Sequence, residues 1–334
     1  MSRSRLSFLN ILVAIVGVAL LIFTVQRAGG WGAVVEGVAS VGWWFVVIVL
    51  LGAFRMACRT RAWMICANEA GTGRREPGTS ELRFIDAFGA WLAGDAIGNL
   101  TPLGLLASEP TKVLMVRTRI STVTSIASVT IENAFYTASV CVVLLAGTWL
   151  FLQRADVPPG LVQVAELILT AVAIAAVIGV WAVRTRPAVL SRFAPVIARL
   201  AGRSDAPAEA MREVEARIYG VPQWSLGRIL HVVSWEAAFH VAAVAEVWIV
   251  LETLVPKVTW TDAFLLESAG RFVTVAFKFV PYRLGIDEAG SGAVATVIGF
   301  APAVGVTLAL VRRLRIIVLN AVGLIPLVGS RHGR

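Results

Sequence analysis

Charged side chains recur at helical spacing inside apolar stretches of this sequence. Glu267, Arg271 and Lys278 stand four and seven positions apart, so a helix over Trp260 to Phe279 would place them on one face. An ionisable group at the centre of a membrane costs about 2.5–3.5 kcal/mol on insertion scales, so such groups usually face a cavity or a partner. Because arginine and lysine form charge-assisted hydrogen bonds with phosphate, the pattern predicts a site for an anionic group.

One sequence pattern of proline, glycine and glutamate occurs twice. A proline and a glutamate lie seven positions apart with a glycine between them, as Pro102, Gly104 and Glu109 and again as Pro281, Gly285 and Glu288. Proline and glycine interrupt helices, and an interrupted helix exposes amide groups whose dipoles favour an anion at an N-terminal end. The two stretches therefore predict a pair of broken helices that contribute to one site.

The predicted site combines both stretches with nearby charges. We expect the substrate to bind Pro102, Gly104, Glu109, Lys112, Arg271, Lys278, Pro281, Arg283, Gly285 and Glu288. We expect pairing or proton transfer by Asp95, Glu132, Glu267 and Asp287. The alternative is that these charges form internal ion pairs, such as Glu267 with Arg271, that only fix the orientation of helices. Burial in a cavity and snorkelling to the membrane interface are both open for Arg312, Arg313 and Arg315.

Catalytic and metal signatures are missing from the sequence. It contains no Ser-His-Asp arrangement with useful context, no Gly-rich phosphate loop and no metal motif. The three cysteines and three histidines are scattered without metal-ligand spacing. We therefore predict no catalytic residue, no cofactor and no metal.

The composition is that of an integral membrane protein. Of the 334 residues, 57% are hydrophobic and 15% are charged, and the mean hydropathy is +0.79. Soluble domains carry about 25% charge. The formal net charge is +9, but the arginines fall mostly in short loops between apolar runs, as the positive-inside rule predicts. Nucleic acid is not expected as a partner.

Apolar runs of about 20 residues, the length that spans a bilayer, predict an all-α polytopic membrane protein. We expect about six full transmembrane helices, at 7–25, 43–67, 121–152, 161–183, 229–254 and 304–328. Two re-entrant hairpins are predicted near 84–119 and 262–300, and a Gly-rich link at 28–42. The Arg312 to Arg315 cluster leaves open whether the last apolar region is one helix or two.

The topology predicts two inverted halves, residues 1–160 and 161–334, each with a hairpin near the midplane. Both termini and a basic loop at 184–227 are expected on the cytoplasmic side of the cell (inner or plasma) membrane. Met211, Val214 and Ile218 recur at helical spacing in this loop, which predicts a short amphipathic helix on the membrane surface.

The two Pro and Glu stretches, with Ala321-Val322-Gly323 at the end of the last span, resemble the flippase-like membrane family that includes the transmembrane region of lysylphosphatidylglycerol synthases. The resemblance covers nearly the whole chain. Glu109 and Lys112 match the first motif of that family, and Pro281, Leu284, Gly285 and Glu288 match the second. Tyr282 and Arg283 replace its usual glycines, Asp287 stands where a basic residue is common, and Lys112 stands for an arginine.

This resemblance implies movement of a lipid across the bilayer. Candidate lipids are an aminoacylated phospholipid, a hopanoid-type lipid and a polyprenyl-phosphate-linked sugar. We expect no soluble aminoacyl-transferase domain, and no nucleotide-binding motif is present, so an ion gradient or the lipid gradient would supply the energy. Two alternatives stay open: a membrane enzyme that modifies a lipid head group with the same carboxylates, and a non-catalytic partner of a lipid-synthesis enzyme.

Overall fold

A computed structural model describes residues 20–27, 29–71, 81–101, 104–153, 159–193, 208–277 and 283–329. Throughout these ranges the regular structure is helical and contains no strand, which confirms the predicted all-α class. The principal helices are α1 (Gly30–Val41), α2 (Trp44–Ala70), α3 (Phe84–Leu100), α4 (Gly104–Val116), α5 (Thr122–Leu152), α6 (Pro159–Thr185), α7 (Ala208–Ile218), α8 (Leu226–Leu254), α9 (Trp260–Ala276), α10 (Ile286–Val297) and α11 (Pro302–Gly329). Residues 20–27 and 189–193 are also helical.

Several helices are long and apolar enough to cross a membrane. Within the described residues these are Thr122–Leu152, Val162–Thr185 and Leu226–Leu254, and a fourth span results if α1 and α2, bent by 76°, count as one. The chain is therefore an integral membrane protein. Most of the predicted span 7–25 lies outside the described residues, and the total of six spans and the inverted repeat stay predictions.

The stretch at 28–42 is not the Gly-rich link that the sequence suggested, because α1 begins at Gly30. Val34 and Val41, seven positions apart, lie on one helical face and are buried. Val34 packs with Val306, and Val41 lies in the cluster that contains Leu308. Burial of this apolar face on α11 outweighs the low helix propensity of glycine.

Both predicted hairpins consist of two helices with a break between them. In the first, α3 ends at Leu100 because Thr101 is extended, with φ −111° and ψ 142°. The returning helix α4 begins at Gly104, where any side chain would overlap the carbonyl of Gly98. In the second hairpin, Gly285 precedes α10 with φ +77°, a conformation that favours glycine. The α3 helix and the α10 helix both pack against α11.

The last region forms one helix, α11, of 28 residues. The arginines that left this open do not break it, since they are held inside the bundle. Arg315 is buried, and Arg312, Arg313 and Arg315 each form an ion pair with a buried glutamate. Pairing of this kind offsets the cost of placing guanidinium groups among apolar helices.

The basic loop contains the predicted amphipathic helix as α7. Val214 on its apolar face is fully buried in a cluster with Cys66 and Ile131, so this face packs on α2 and α5 and is not free for the membrane surface. Glu215 accepts hydrogen bonds from the backbone N–H of Leu190 at 2.6 Å and from the Ser191 hydroxyl at 2.7 Å. These bonds tie residues 189–193 to α7.

Candidate functional site

Charged side chains surround two adjoining cavities inside the helical bundle, of about 140 Å³ and 270 Å³. The two cavities share the wall residues Arg55, Asn99, Arg271, Thr274, Arg283, Arg315 and Ile316. We call the combined space the charged cavity. Its walls come from both hairpins and from α2, α5, α8 and α11, so the two broken hairpins line one common space.

The walls of the charged cavity carry more positive than negative charge. Within the described ranges, eight basic side chains line it, namely Arg55, Arg59, Lys112, Arg271, Arg283, Arg312, Arg313 and Arg315. The acidic side chains that line it are Asp95, Glu109, Glu267 and Asp287. The lining has four more basic than acidic side chains, and three of these are balanced by the buried Glu246, Glu132 and Glu288, which pair with Arg55, Arg59 and Arg313. One positive charge remains in excess in a low-dielectric interior, which makes the space suitable for an anionic group.

Glu246 on α8 does not line the charged cavity itself but pairs with several of the arginines that do. The Glu246 carboxylate is fully buried. It accepts a hydrogen bond of 2.7 Å from Arg55 Nη1, pairs with Arg312 Nε at 3.4 Å and also pairs with Arg315. One carboxylate therefore holds guanidinium groups of α2 and α11 in a defined arrangement.

Glu267 on α9 forms a second ionic centre. Arg271 Nη2 lies 2.6 Å from its carboxylate, and Arg312 pairs with the same group. Arg271 Nη1 also donates to the Tyr136 hydroxyl at 3.2 Å. The expected internal pair of Glu267 and Arg271 is present, and both members also line the charged cavity. The two interpretations of the sequence are thus compatible.

The first hairpin contributes two local pairs. Lys112 Nζ lies 3.1 Å from Glu109 Oε1, one helical turn earlier on α4, and 3.6 Å from the centroid of the Trp91 ring. Asn99 Nδ2 donates to Asp95 Oδ2 at 3.0 Å across one turn of α3. Spacings of three and four residues bring these side chains together on a helix surface, so sequence spacing alone predicts these contacts.

The second hairpin places a cation on a strained backbone. Arg283 has φ 45°, a left-handed conformation that is uncommon for residues with a side chain. Its Nε donates to Asp287 Oδ1 at 3.0 Å, and its carbonyl accepts from Arg313 at 3.3 Å. Strain of this kind persists where the surroundings hold it, often at functional sites.

The predicted site residues fall into three groups: those that line the charged cavity, those buried beside its lining, and those outside the described residues. Gly104, Glu109, Lys112, Arg271 and Arg283 line the charged cavity together with Asp95, Glu267 and Asp287. Glu288 is fully buried and pairs with Arg313 at 2.8 Å. Glu132 is likewise fully buried and pairs with Arg59 at 2.6 Å. Neither glutamate is among the residues that line the cavity, and the same holds for Gly285 at the start of α10. The remaining three, Pro102, Lys278 and Pro281, lie outside the described residues.

Sequence reasoning missed two cations on α2. Arg55 and Arg59 lie in the middle turns of this helix and line the charged cavity. Their spacing of four residues, which gives one helical face, was the signal available. Tyr136 was missed as well, and its ring lies 3.6 Å from the Arg59 guanidinium. No charge at Tyr136 draws attention to it in the sequence.

An apolar groove adjoins the charged cavity. It measures about 1040 Å³ and is lined by α4, α5, α6 and α9, through residues that include Val113, Leu114, Val140, Leu144, Leu167, Ala171, Val172, Ala175 and Phe272. Glu109, Asn133, Tyr136 and Val275 line both the groove and the charged cavity. A polar interior and an apolar surface therefore meet along one edge. Among the described residues, no group of three or more metal-ligating side chains is gathered.

The apolar spans and the buried charged cavity define a polytopic integral membrane protein. A family profile described as the lysylphosphatidylglycerol synthase TM region matches residues 9–323. The chain belongs to this family, which confirms the resemblance noted in the sequence and links the chain to lipid metabolism or transport. A search of the curated proteins finds no match, and neither does a search of the solved structures.

Proposed function

We propose that this protein binds a lipid with an anionic head group and moves it across the membrane. The observation that carries the proposal is the shared edge of the charged cavity and the apolar groove at Glu109, Asn133 and Tyr136. An amphiphile needs a polar place for its head beside an apolar place for its chains. This arrangement supplies both without a break between them.

A phosphate-bearing head group suits the charged cavity. The walls present more basic than acidic side chains, and most of the bases are arginines, whose planar guanidinium groups form paired hydrogen bonds with phosphate oxygens. Glu246 and Glu267 hold these groups in place before any ligand arrives. Preorganised donors bind more strongly because little conformational freedom is lost on binding.

The hydrocarbon chains of such a lipid suit the apolar groove. Its lining is dominated by valine, leucine, alanine and isoleucine side chains of α4, α5, α6 and α9. Burial of apolar surface contributes about 0.8 kcal/mol per methylene group relative to water. Within a bilayer the groove competes with other lipids, so the head group supplies the selectivity.

Movement would come from the two broken hairpins. We infer that each hairpin belongs to one of the inverted halves predicted from the sequence, residues 1–160 and 161–334, and that the two halves expose the charged cavity to each leaflet in turn. The proposed setting is the inner or plasma membrane with both termini cytoplasmic, which the arginine-rich loops favour. A lipid-synthesis enzyme is a fitting partner, because it would deliver the lipid that is moved.

Native mass spectrometry of the lipid that copurifies with the protein tests the binding step. We expect the double variant Lys112→Met, Arg283→Gly to lose at least about tenfold in bound phosphate-bearing lipid, because about 1.4 kcal/mol is a factor of ten in affinity and charge-assisted bonds exceed this. Filling the groove with Ala171→Trp should have the same effect. The matched controls are Arg184→Gln and Ala173→Trp, which change exposed positions of α6 outside both cavities.

Movement itself is measured in vesicles with a fluorescent anionic lipid and a quencher that reaches one leaflet. The wild type should transfer the lipid between leaflets, and both site variants should slow this transfer while the controls do not. The proposal fails if transfer is no faster than in protein-free vesicles. It fails equally if the site variants transfer lipid as fast as the controls.

A further inference from the structure

One buried carboxyl group stands apart from the rest. Glu236 on α8 is 1% exposed, and neither of its carboxyl oxygens has a hydrogen-bond partner among the residues that the structure describes. The other fully buried glutamates of the bundle, Glu132, Glu246, Glu267 and Glu288, each form an ion pair with an arginine. A buried carboxylate without a paired cation is very costly.

The immediate neighbour of Glu236 is a second acid. Its carboxyl group lies close to that of Glu132, which is fully buried on α5, because α5 and α8 pack together here through a cluster that contains Ile131 and Val232. Both oxygens of Glu132 already accept hydrogen bonds from Arg59, at 2.6 Å and 2.8 Å. An ionised carboxylate only accepts hydrogen bonds, so the two groups can bond to each other only when one of them carries a proton.

We propose that Glu132 and Glu236 form a proton-binding pair that is coupled to the charged cavity through Arg59. With one proton the pair has a single negative charge, which the guanidinium of Arg59 balances. Two adjacent carboxyl groups titrate as one unit, which binds its first and its second proton in two separate steps. Among the described residues, the other titratable or charged groups around the pair are Lys112 on α4, Cys58 and Cys66 on α2, Tyr136 on α5, Arg271 on α9 and His240, one turn from Glu236 on α8.

Coupling follows because Arg59 serves two sites. Its side chain lines the charged cavity and also binds Glu132. An anionic head group that contacts Arg59 draws its charge away from the carboxyl pair, which then favours uptake of a second proton from water. By reciprocity, a second proton on the pair frees Arg59 for the anion. This step rests on the proposed function, and it makes the proton and the anion bind together.

Infrared spectroscopy of the purified protein in lipid tests the proton site without any transport. At neutral pH the wild type should show a carbonyl band of a protonated carboxylic acid that is lost in Glu236→Gln and shifted in Glu236→Asp. Glutamine resembles the protonated acid in shape and polarity, so this variant should fold. Glu252→Gln, an exposed change on the same helix, should leave the band unchanged. A spectrum that is identical in wild type and Glu236→Gln would overturn the proton site.

Vesicles with an imposed pH gradient test the coupling. One coupled proton should shift the distribution of a fluorescent anionic lipid between leaflets by up to about tenfold per pH unit, and Glu236→Gln should move the lipid without this response. An equal response in wild type and variant overturns the coupling and leaves the proton site standing. If the wild type moves no lipid, the proposed function and the coupling both fail, while the infrared band still decides the proton site.

Discussion

The guanidinium carbon of Arg59 lies 3.6 Å from the centroid of the Tyr136 ring. This contact joins the middle of α2 to the residue of α5 at which the charged cavity meets the apolar groove. A desolvated contact between a guanidinium group and an aromatic ring contributes about 2 kcal/mol or more. Tyr136 therefore stabilises the cation that faces the head-group site.

Substitutions at Tyr136 should separate the ring from its hydroxyl. Tyr136→Phe loses the hydrogen bond from Arg271 but keeps the stacked ring, so we expect a loss of about 1 kcal/mol. Tyr136→Leu loses both and should cost about 2–4 kcal/mol. Thermal unfolding in detergent measures the difference. Equal midpoints for the two variants would show that the stacked ring contributes nothing.

Glu246 should be more important for stability than any exposed glutamate. Glu246→Gln leaves Arg55, Arg312 and Arg315 without their shared counter-charge, and loss of one partner of a buried pair costs about 3–5 kcal/mol. We expect a marked fall in the unfolding midpoint. Glu252→Gln, the same change at an exposed position of α8, should alter it little. If both variants unfold like the wild type, Glu246 does not organise the arginines.

Gly104 should be intolerant of a side chain. A methyl group there would overlap the carbonyl of Gly98 and push the two arms of the first hairpin apart. Gly104→Ala should therefore lower the unfolding midpoint and reduce copurified lipid. Gly179→Ala on α6 meets nothing within 4 Å and should be neutral or stabilise by up to about 1 kcal/mol, since alanine favours helices. Identical effects at the two glycines would contradict the close contact of α3 with α4.

Arg283 should affect lipid binding much more than stability. Arg283→Gly relieves the strain at φ 45°, worth about 1–2 kcal/mol, but loses the Asp287 ion pair and adds chain entropy in the unfolded state. The unfolding free energy should stay within about 1 kcal/mol of the wild type. Bound anionic lipid should decrease at the same time. A variant that binds lipid like the wild type would remove Arg283 from the head-group site.

Local features of this fold could be predicted from the sequence. The first hairpin breaks where Pro102 and Gly104 predicted it, and the pairs Glu109 with Lys112 and Glu267 with Arg271 follow from helical spacing. Contacts across the chain could not be predicted. Arg55 and Glu246 are 191 positions apart, and a single sequence does not indicate which buried acid meets which buried base. For the same reason the sequence does not indicate that Arg55 and Arg59 line the charged cavity.

The exposure of α6 has a consequence for the range of lipids that the protein accepts. In the most apolar part of this helix, 11% of the residues are buried inside the protein, and its principal contact is with α5. A sideways displacement of α6 would therefore lose few packing contacts. A groove bounded by a helix that is so easily displaced does not select lipids by the length or the number of their chains. Lipids with the right head group but very different tails should compete for this protein on nearly equal terms.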